Sequence, residues 1–237
     1  MISVCAPYYQ RQEALDGMVA QYDALYPEMD IELCIADDGS RTPVMIPLGK
    51  HPAHVAYLPR KDHPLNPCVP INRAVSMGSG DIIVLTNPEV RHQGRVLDHL
   101  VVKLILATVT HKRAYVTARA AGIGYGGPEP FWLAGPEVDY TKHGRLPVPP
   151  GAHFHFLAAF WRDLWEEVGG FDEDYRHVQA CDDNDWLWRC AEAGAEFHTV
   201  DGIVTQPKSS TKWGMPHGRT LFNKKWPLRR MAKVLKG

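Results

Sequence analysis

The sequence carries almost no net charge: 26 Lys and Arg against 27 Asp and Glu leave −1 at neutral pH. A chain so balanced offers no broad field to nucleic acid or acidic lipid, so a polyanion partner would have to meet a local patch. Cysteine is scarce. The five present, Cys5, Cys34, Cys68, Cys181 and Cys190, are odd in number and lack CxxC spacing, which argues against a disulfide framework and a structural zinc site and leaves buried thiols as the plain reading. Long apolar runs are missing too. No stretch approaches the roughly 20 apolar residues of a membrane span, and Met1 leads straight into ISVCAPYY without a charged, apolar leader. The expectation is a cytoplasmic chain. GYGG at 124–127 lacks the lysine of a phosphate loop and a clear βαβ frame.

What is present suffices for one core: 237 residues, 45% of them hydrophobic, favour a single domain. The first ninety residues alternate between short apolar runs and helix-spaced segments. ISVCAP is followed by RQEALDGMVAQYDALY, with Leu15, Met18, Val19, Tyr22 and Leu25 at helical spacing, then by DIELCIADDGS. HVAYLP, a helix over PINRAVSMGS with Pro70 in its first turn, and DIIVLT complete the pattern. Such alternation predicts a mainly parallel sheet flanked by helices, with ligands bound at the carboxyl ends of the strands. Three of those ends carry polar groups: Pro7-Tyr8-Tyr9, Asp37-Asp38-Gly39-Ser40 and Asn87-Pro88-Glu89. DDGS also fits an Asx turn with Gly39 left-handed, and both tyrosines also fit as packing residues. After the predicted helix LDHLVVKLILATV, the Gly- and Pro-rich stretch from Tyr115 to Gly151 lacks periodicity and reads as a long loop around a site. GAHFHF, with His153 and His155, reads as a strand.

DDGS after ISVCAPYYQR, then VGGFDEDY, then DDNDWLWR opening a helix, in that order, resembles the family 2 glycosyltransferases of the GT-A fold. The resemblance covers about residues 2 to 226. It implies an α/β chain with a Rossmann-like, mainly parallel central sheet: a GT-A domain at 1–215, its donor half about 1–95 and acceptor half about 96–215, and a basic extension at 216–237 that closes the fold. It further implies transfer of a sugar from a nucleotide-diphosphate donor, a UDP-sugar by preference, to an acceptor hydroxyl with inversion. Asp183 is then the base and Asp182 its acidic neighbour, although three aspartates at a helix start are also explained by the helix dipole. Pro7, Tyr9 and Asp38 would hold the base, Arg11 the phosphates, and Asn66 and Asn72 further parts of the donor. His155, Trp186 and Arg189 would face the acceptor, Trp186 as a ring platform or as core.

In relatives the strand matching IIVLT ends in a DxD-type motif whose last carboxylate binds a divalent cation. Here Asn87-Pro88-Glu89 keeps only the last acidic position. The resemblance implies Mn²⁺ or Mg²⁺ on Glu89, with His217 supplying the histidine missing from the Thr205-Gln206-Pro207 segment; Glu89 as a solvent turn residue is the bland alternative. The acceptor class stays open among a glycan, a lipid-linked glycan and a modified nucleic acid. The tail NKKWPLRRMAKVLKG interleaves basic and apolar residues. It fits a helix that closes the fold, and also a surface for membrane, nucleic acid or a second subunit. Two rival functions are a nucleotide-sugar binding module without turnover and a nucleotidyltransferase, which would need a Gly-rich basic start that this chain lacks.

Overall fold

The structure is a computed structural model and describes residues 1–59, 66–110, 113–124, 131–135, 153–207 and 218–236. Strands β1 (Ile2–Tyr8), β2 (Ile31–Asp37) and β4 (Ile82–Thr86) are the continuous apolar runs of the sequence, buried along nearly their whole length. Such strands need cover on both faces. Along β1 the side chains alternate: Val4, Ala6 and Tyr8 face the core that contains helices α1 (Gln12–Leu25) and α3 (Val96–Val109), while Cys5 faces the core built with α2 (Cys68–Met77). The second core also takes α4 (Arg162–Val168), α5 (Asp182–Glu192), α6 (Arg219–Lys225) and α7 (Leu228–Val234).

Among the described residues the sheet has nine strands. With β3 (Ala53–Tyr57), β5 (Arg91–His92), β6 (Ala114–Ile123), β7 (Phe131–Ala134), β8 (Leu157–Trp161) and β9 (Glu196–Pro207), the order is β3-β2-β1-β4-β8-β6-β9-β5, with β7 beside the far part of β6. β3, β2, β1 and β4 are parallel; β8 runs antiparallel between β4 and β6; β6 and β9 are parallel. The first four strands therefore end along one edge.

Two expectations are corrected. The segment from Tyr115 read as loop begins instead as β6, an interior strand paired with β9 from Ala114 to Ile123. Its alanines hide it from propensity: what makes it a strand is pairing on both sides and burial. GAHFHF does not form a strand over 153–156; those residues turn into β8, which starts at Leu157. Residues 125–130 and 136–152, most of the expected acceptor loop, lie outside the described residues.

The opposite edge is tied by one carboxylate. Glu32, 3% exposed, accepts hydrogen bonds from the Ser3 hydroxyl (2.7 Å), the Gly80 N–H (3.1 Å) and the Ser79 N–H, and His54 Nε2 lies 3.1 Å away. Burial alone would raise its pKa; the Ser79, Ser3 and Gly80 donors and His54 outweigh it and hold the carboxyl below its usual value. A depressed carboxyl contributes stability above the ordinary glutamate range and loses it as pH falls through the depressed value. Glu32→Gln is expected to lower stability near neutral pH by about 2 kcal/mol, roughly 4–8 °C in Tm, with the gap to wild type closing on acidification in a series of melting curves.

Candidate functional site

At the shared edge the two carboxylates of DDGS divide their work. Asp37, fully buried, builds the turn: Oδ1 accepts the Ser40 N–H (2.9 Å) and Oδ2 the Val44 N–H (3.2 Å), with Gly39 left-handed at φ 73°. The Ser40 hydroxyl in turn accepts the Gln10 N–H at 2.9 Å, tying this turn to the one after β1. Asp38 is the other carboxylate, 9% exposed, and its N–H donates to the Tyr8 carbonyl at 2.8 Å. Pro7 and Tyr9, both half-buried, flank the same tip.

One strand over, Glu89 is 13% exposed and its Oε1 lies 2.9 Å from Arg11 Nε. The residue expected to bind phosphate and the expected metal ligand thus pair with each other. Among the described residues no group of three or more His, Cys, Asp or Glu side chains is placed to hold a metal ion. His217 lies outside them.

A cavity of about 260 Å³ opens between the start of α2 and the start of α5, lined by Asn66, Asn87, His155, Gln179, Asp182 and Asp183 among others. It brings the β4 tip to the acidic helix, 95 residues later in the chain. The turn that launches this helix is unusual: Ala180 (φ 64°) and Cys181 (φ 72°) are both left-handed without being glycine, a conformation that costs roughly 1–2 kcal/mol per residue. Asp182 is 6% exposed, and burial, with Asp185 acting the same way, raises its pKa against the opposing hydrogen bond of Asn66. The His155 imidazole presents a buried Nδ1 with no hydrogen-bond partner among the described residues, packs edge-on against Phe171 (5.1 Å between centroids), and has its pKa pushed down to about 4 by burial. It is a neutral ring at physiological pH.

Three expected substrate contacts belong to the framework instead. Trp186, expected at the acceptor, is fully buried and stacks on Phe171 at 5.1 Å, so it offers no platform. Arg189 spends its guanidinium on Asp185 Oδ2 (2.7 Å) and on the carbonyls of Val168 (3.1 Å) and Gly170 (2.6 Å). Asn72, expected at the donor, donates to the Phe171 carbonyl and accepts the Phe171 N–H, both at 2.8 Å. Together they clamp the VGGFDE loop, whose Gly170 (φ 72°) sits so close to Asn72 and Trp165 that a β-carbon would lie 2.9 Å from each. Asn66 combines both kinds of role: it lines the cavity, accepts the Cys68 N–H (3.0 Å) and donates to Val178 O (3.3 Å). Sequence reasoning missed Asn87, Phe154, Phe156 and Gln179 as cavity walls. Asn87 had a signal, its place in the degraded motif; the others had none.

No protein-family model and no curated protein matches the chain. Among solved structures it is similar to S. aureus TarS residues 1–349 in complex with UDP-GlcNAc, with a TM-score of 0.61 and 13% identity over 89% of this chain and 59% of that one. It is also similar to the mannosyltransferase PcManGT from Pyrobaculum calidifontis in complex with GDP-Man and Mn²⁺, with a TM-score of 0.58 and 18% identity over 100% of this chain and 64% of that one. The chain therefore spans about three fifths of the length of these structures. The likeness shows the fold, that of GT-A nucleotide-sugar glycosyltransferases, in agreement with the resemblance read from the motifs.

The raised Asp182 carries a sign that can be measured. Its folded form binds a proton more tightly than the unfolded chain, so stability falls as pH rises from the ordinary aspartate range through the raised value. Asp182→Asn, uncharged throughout, is expected to remove that fall: relative to wild type its Tm should rise as pH increases above the ordinary aspartate range and level off once the wild-type Asp182 has ionised, in a series of melting curves against pH.

Proposed function

We propose that the chain transfers a glycosyl group from a nucleoside-diphosphate sugar, a UDP-sugar by preference, to an acceptor hydroxyl with inversion at the anomeric carbon. The observation that carries this reading is the cavity that Asp182 and Asp183 line together with Asn87 at the tip of β4, on a fold whose similar structures are bound to UDP-GlcNAc and GDP-Man. The donor half is assigned to about 1–95, the acceptor half to about 96–215 and the closing extension to 216–237. Pro7 and Tyr9 flank the nucleobase and Asp38 accepts one of its N–H groups. His155, neutral and lining the cavity, contacts a hydroxyl of the acceptor, whether glycan, lipid-linked glycan or modified nucleic acid. No helix among the described residues is long and apolar enough to cross a membrane.

In the reaction, Asp183 takes the proton of the acceptor hydroxyl while its oxygen forms a bond to the anomeric carbon. The bond from that carbon to the phosphate oxygen breaks, and its electron pair leaves on the diphosphate. Burial disfavours charge on Asp182, its acidic neighbour, which opposes a second negative charge beside the base. Glu89 would hold a divalent cation, Mn²⁺ or Mg²⁺, of the kind that arrives on a diphosphate and takes only one or two carboxylates from the protein. When bound, the cation offsets the charge of the departing diphosphate. Arg11, paired with Glu89 in this structure, would meet a phosphate oxygen of the donor.

The loss of the earlier acidic position to Asn87 favours a second reading, a nucleotide-sugar binding module without turnover. Radiolabelled UDP-sugar separates the two. Asp183→Asn is expected to cut transfer or hydrolysis by about 10²–10⁴-fold while UDP affinity stays within about threefold; tight UDP binding with no wild-type turnover across acceptors favours the module. In calorimetry of UDP with and without Mn²⁺, Glu89→Gln is expected to abolish the gain in affinity that the metal confers, and an undiminished gain would remove Glu89 from the metal site.

A further inference from the structure

We propose that the C-terminal helix pair α6–α7 is a positioning element for the acidic start of α5, acting through Gly218 and Trp226. The inference rests on the glycosyl-transfer reading of the cavity and adds the means by which Asp182 and Asp183 are held. Neither Gly218 nor Trp226 lines the cavity.

Gly218 presses on the turn before the acidic pair. Its N–H donates to the Gln179 carbonyl at 2.7 Å, and a β-carbon built on it would lie 2.2 Å from the Ala180 carbonyl oxygen. Its own φ of −65° suits any residue, so it is the close approach that requires glycine. The residues it touches are those that need outside support, since two consecutive non-glycine residues in left-handed conformation persist only where their surroundings impose it.

Trp226 holds the other side of the same helical turn. Its indole N–H donates to Asp185 Oδ1 at 2.8 Å, inside the protein. The ring lies against Trp188 (5.6 Å between centroids) and under the Arg230 guanidinium at 3.9 Å. Arg230 pairs with both oxygens of Glu192 at the end of α5, and Lys225 pairs with Asp172 within the VGGFDE loop and Asp174 just after it. The tail thus touches α5 before, within and after its acidic turn, and its basic residues Lys225 and Arg230 are spent on these contacts.

Gly218→Ala and Trp226→Phe test the proposal in the full chain. Alanine is acceptable to the backbone at 218 and collides with Ala180; phenylalanine keeps a packed ring and removes the N–H. Titration of the aspartate side-chain carboxyls by ¹³C NMR is expected to show Asp182 displaced toward its ordinary value in both variants. Hydrolysis of UDP-sugar should fall in kcat by about tenfold or more, with UDP affinity within about threefold of wild type. Wild-type titration and kcat in both variants, or a loss of UDP affinity in step with a lowered Tm, would overturn the proposal. Should Gly218→Ala fail to fold, Trp226→Phe carries the test. A wild type that turns over no sugar nucleotide refutes the function reading alone, and the carboxyl titration then decides this inference.

Discussion

The molecule depends on how the Asp185 carboxylate is satisfied. It is 1% exposed, and a buried carboxylate without partners is among the most expensive groups a fold can contain. Arg189 meets one oxygen and the Trp226 indole the other. Because Arg189 also holds the carbonyls of Val168 and Gly170, a single buried carboxylate joins the acidic helix, the VGGFDE loop and the C-terminal tail. Asn72 joins that loop to the helix following the third strand. The cavity wall is in this way tied to both halves of the chain.

Four carboxylates show how environment assigns the work. Glu32 is surrounded by donors and lies below its ordinary value; Asp37 accepts two backbone N–H groups and shapes a turn. Asp185 is committed to Arg189 and Trp226. Asp182, buried in the cavity wall beside Asp185, is pushed the other way and retains its proton at higher pH. Residues of one chemical type thus serve as clip, turn former, brace and proton holder, according to the donors around each.

Much of the fold was legible in the sequence, and for a simple reason. β1, β2 and β4 are buried on both faces, so their middle positions are apolar and polar residues such as Glu32, Asp37 and Thr86 fall near their ends, and α1 must show its apolar stripe at helical spacing. β6 was illegible because alanines and glycine carry little preference, and only partners on both sides make it a strand. At the candidate site, the motifs include two segments that the structure brings to one cavity, the tip of β4 and the start of α5. Individual roles were harder: Asn72 and Arg189 fit a substrate contact by motif, and Trp186 fits either a platform or the core, and all three turn inward to the loop of Gly169–Glu173. A motif records which residues must stay together. It does not record whether they bind a ligand or bind one another.

By itself, then, the sequence determined the parallel half of the sheet, the strand ends that carry polar residues and the acidic start of one helix, since each is encoded within about a dozen neighbouring residues. Only the tertiary structure decided that Arg11 and Glu89 pair, that Asp182 is buried while Asp37 makes the turn beside Asp38, and that Trp226 reaches Asp185. Those outcomes depend on which distant groups share a space too small for water, and burial and hydrogen bonding there are set by all the packed elements at once.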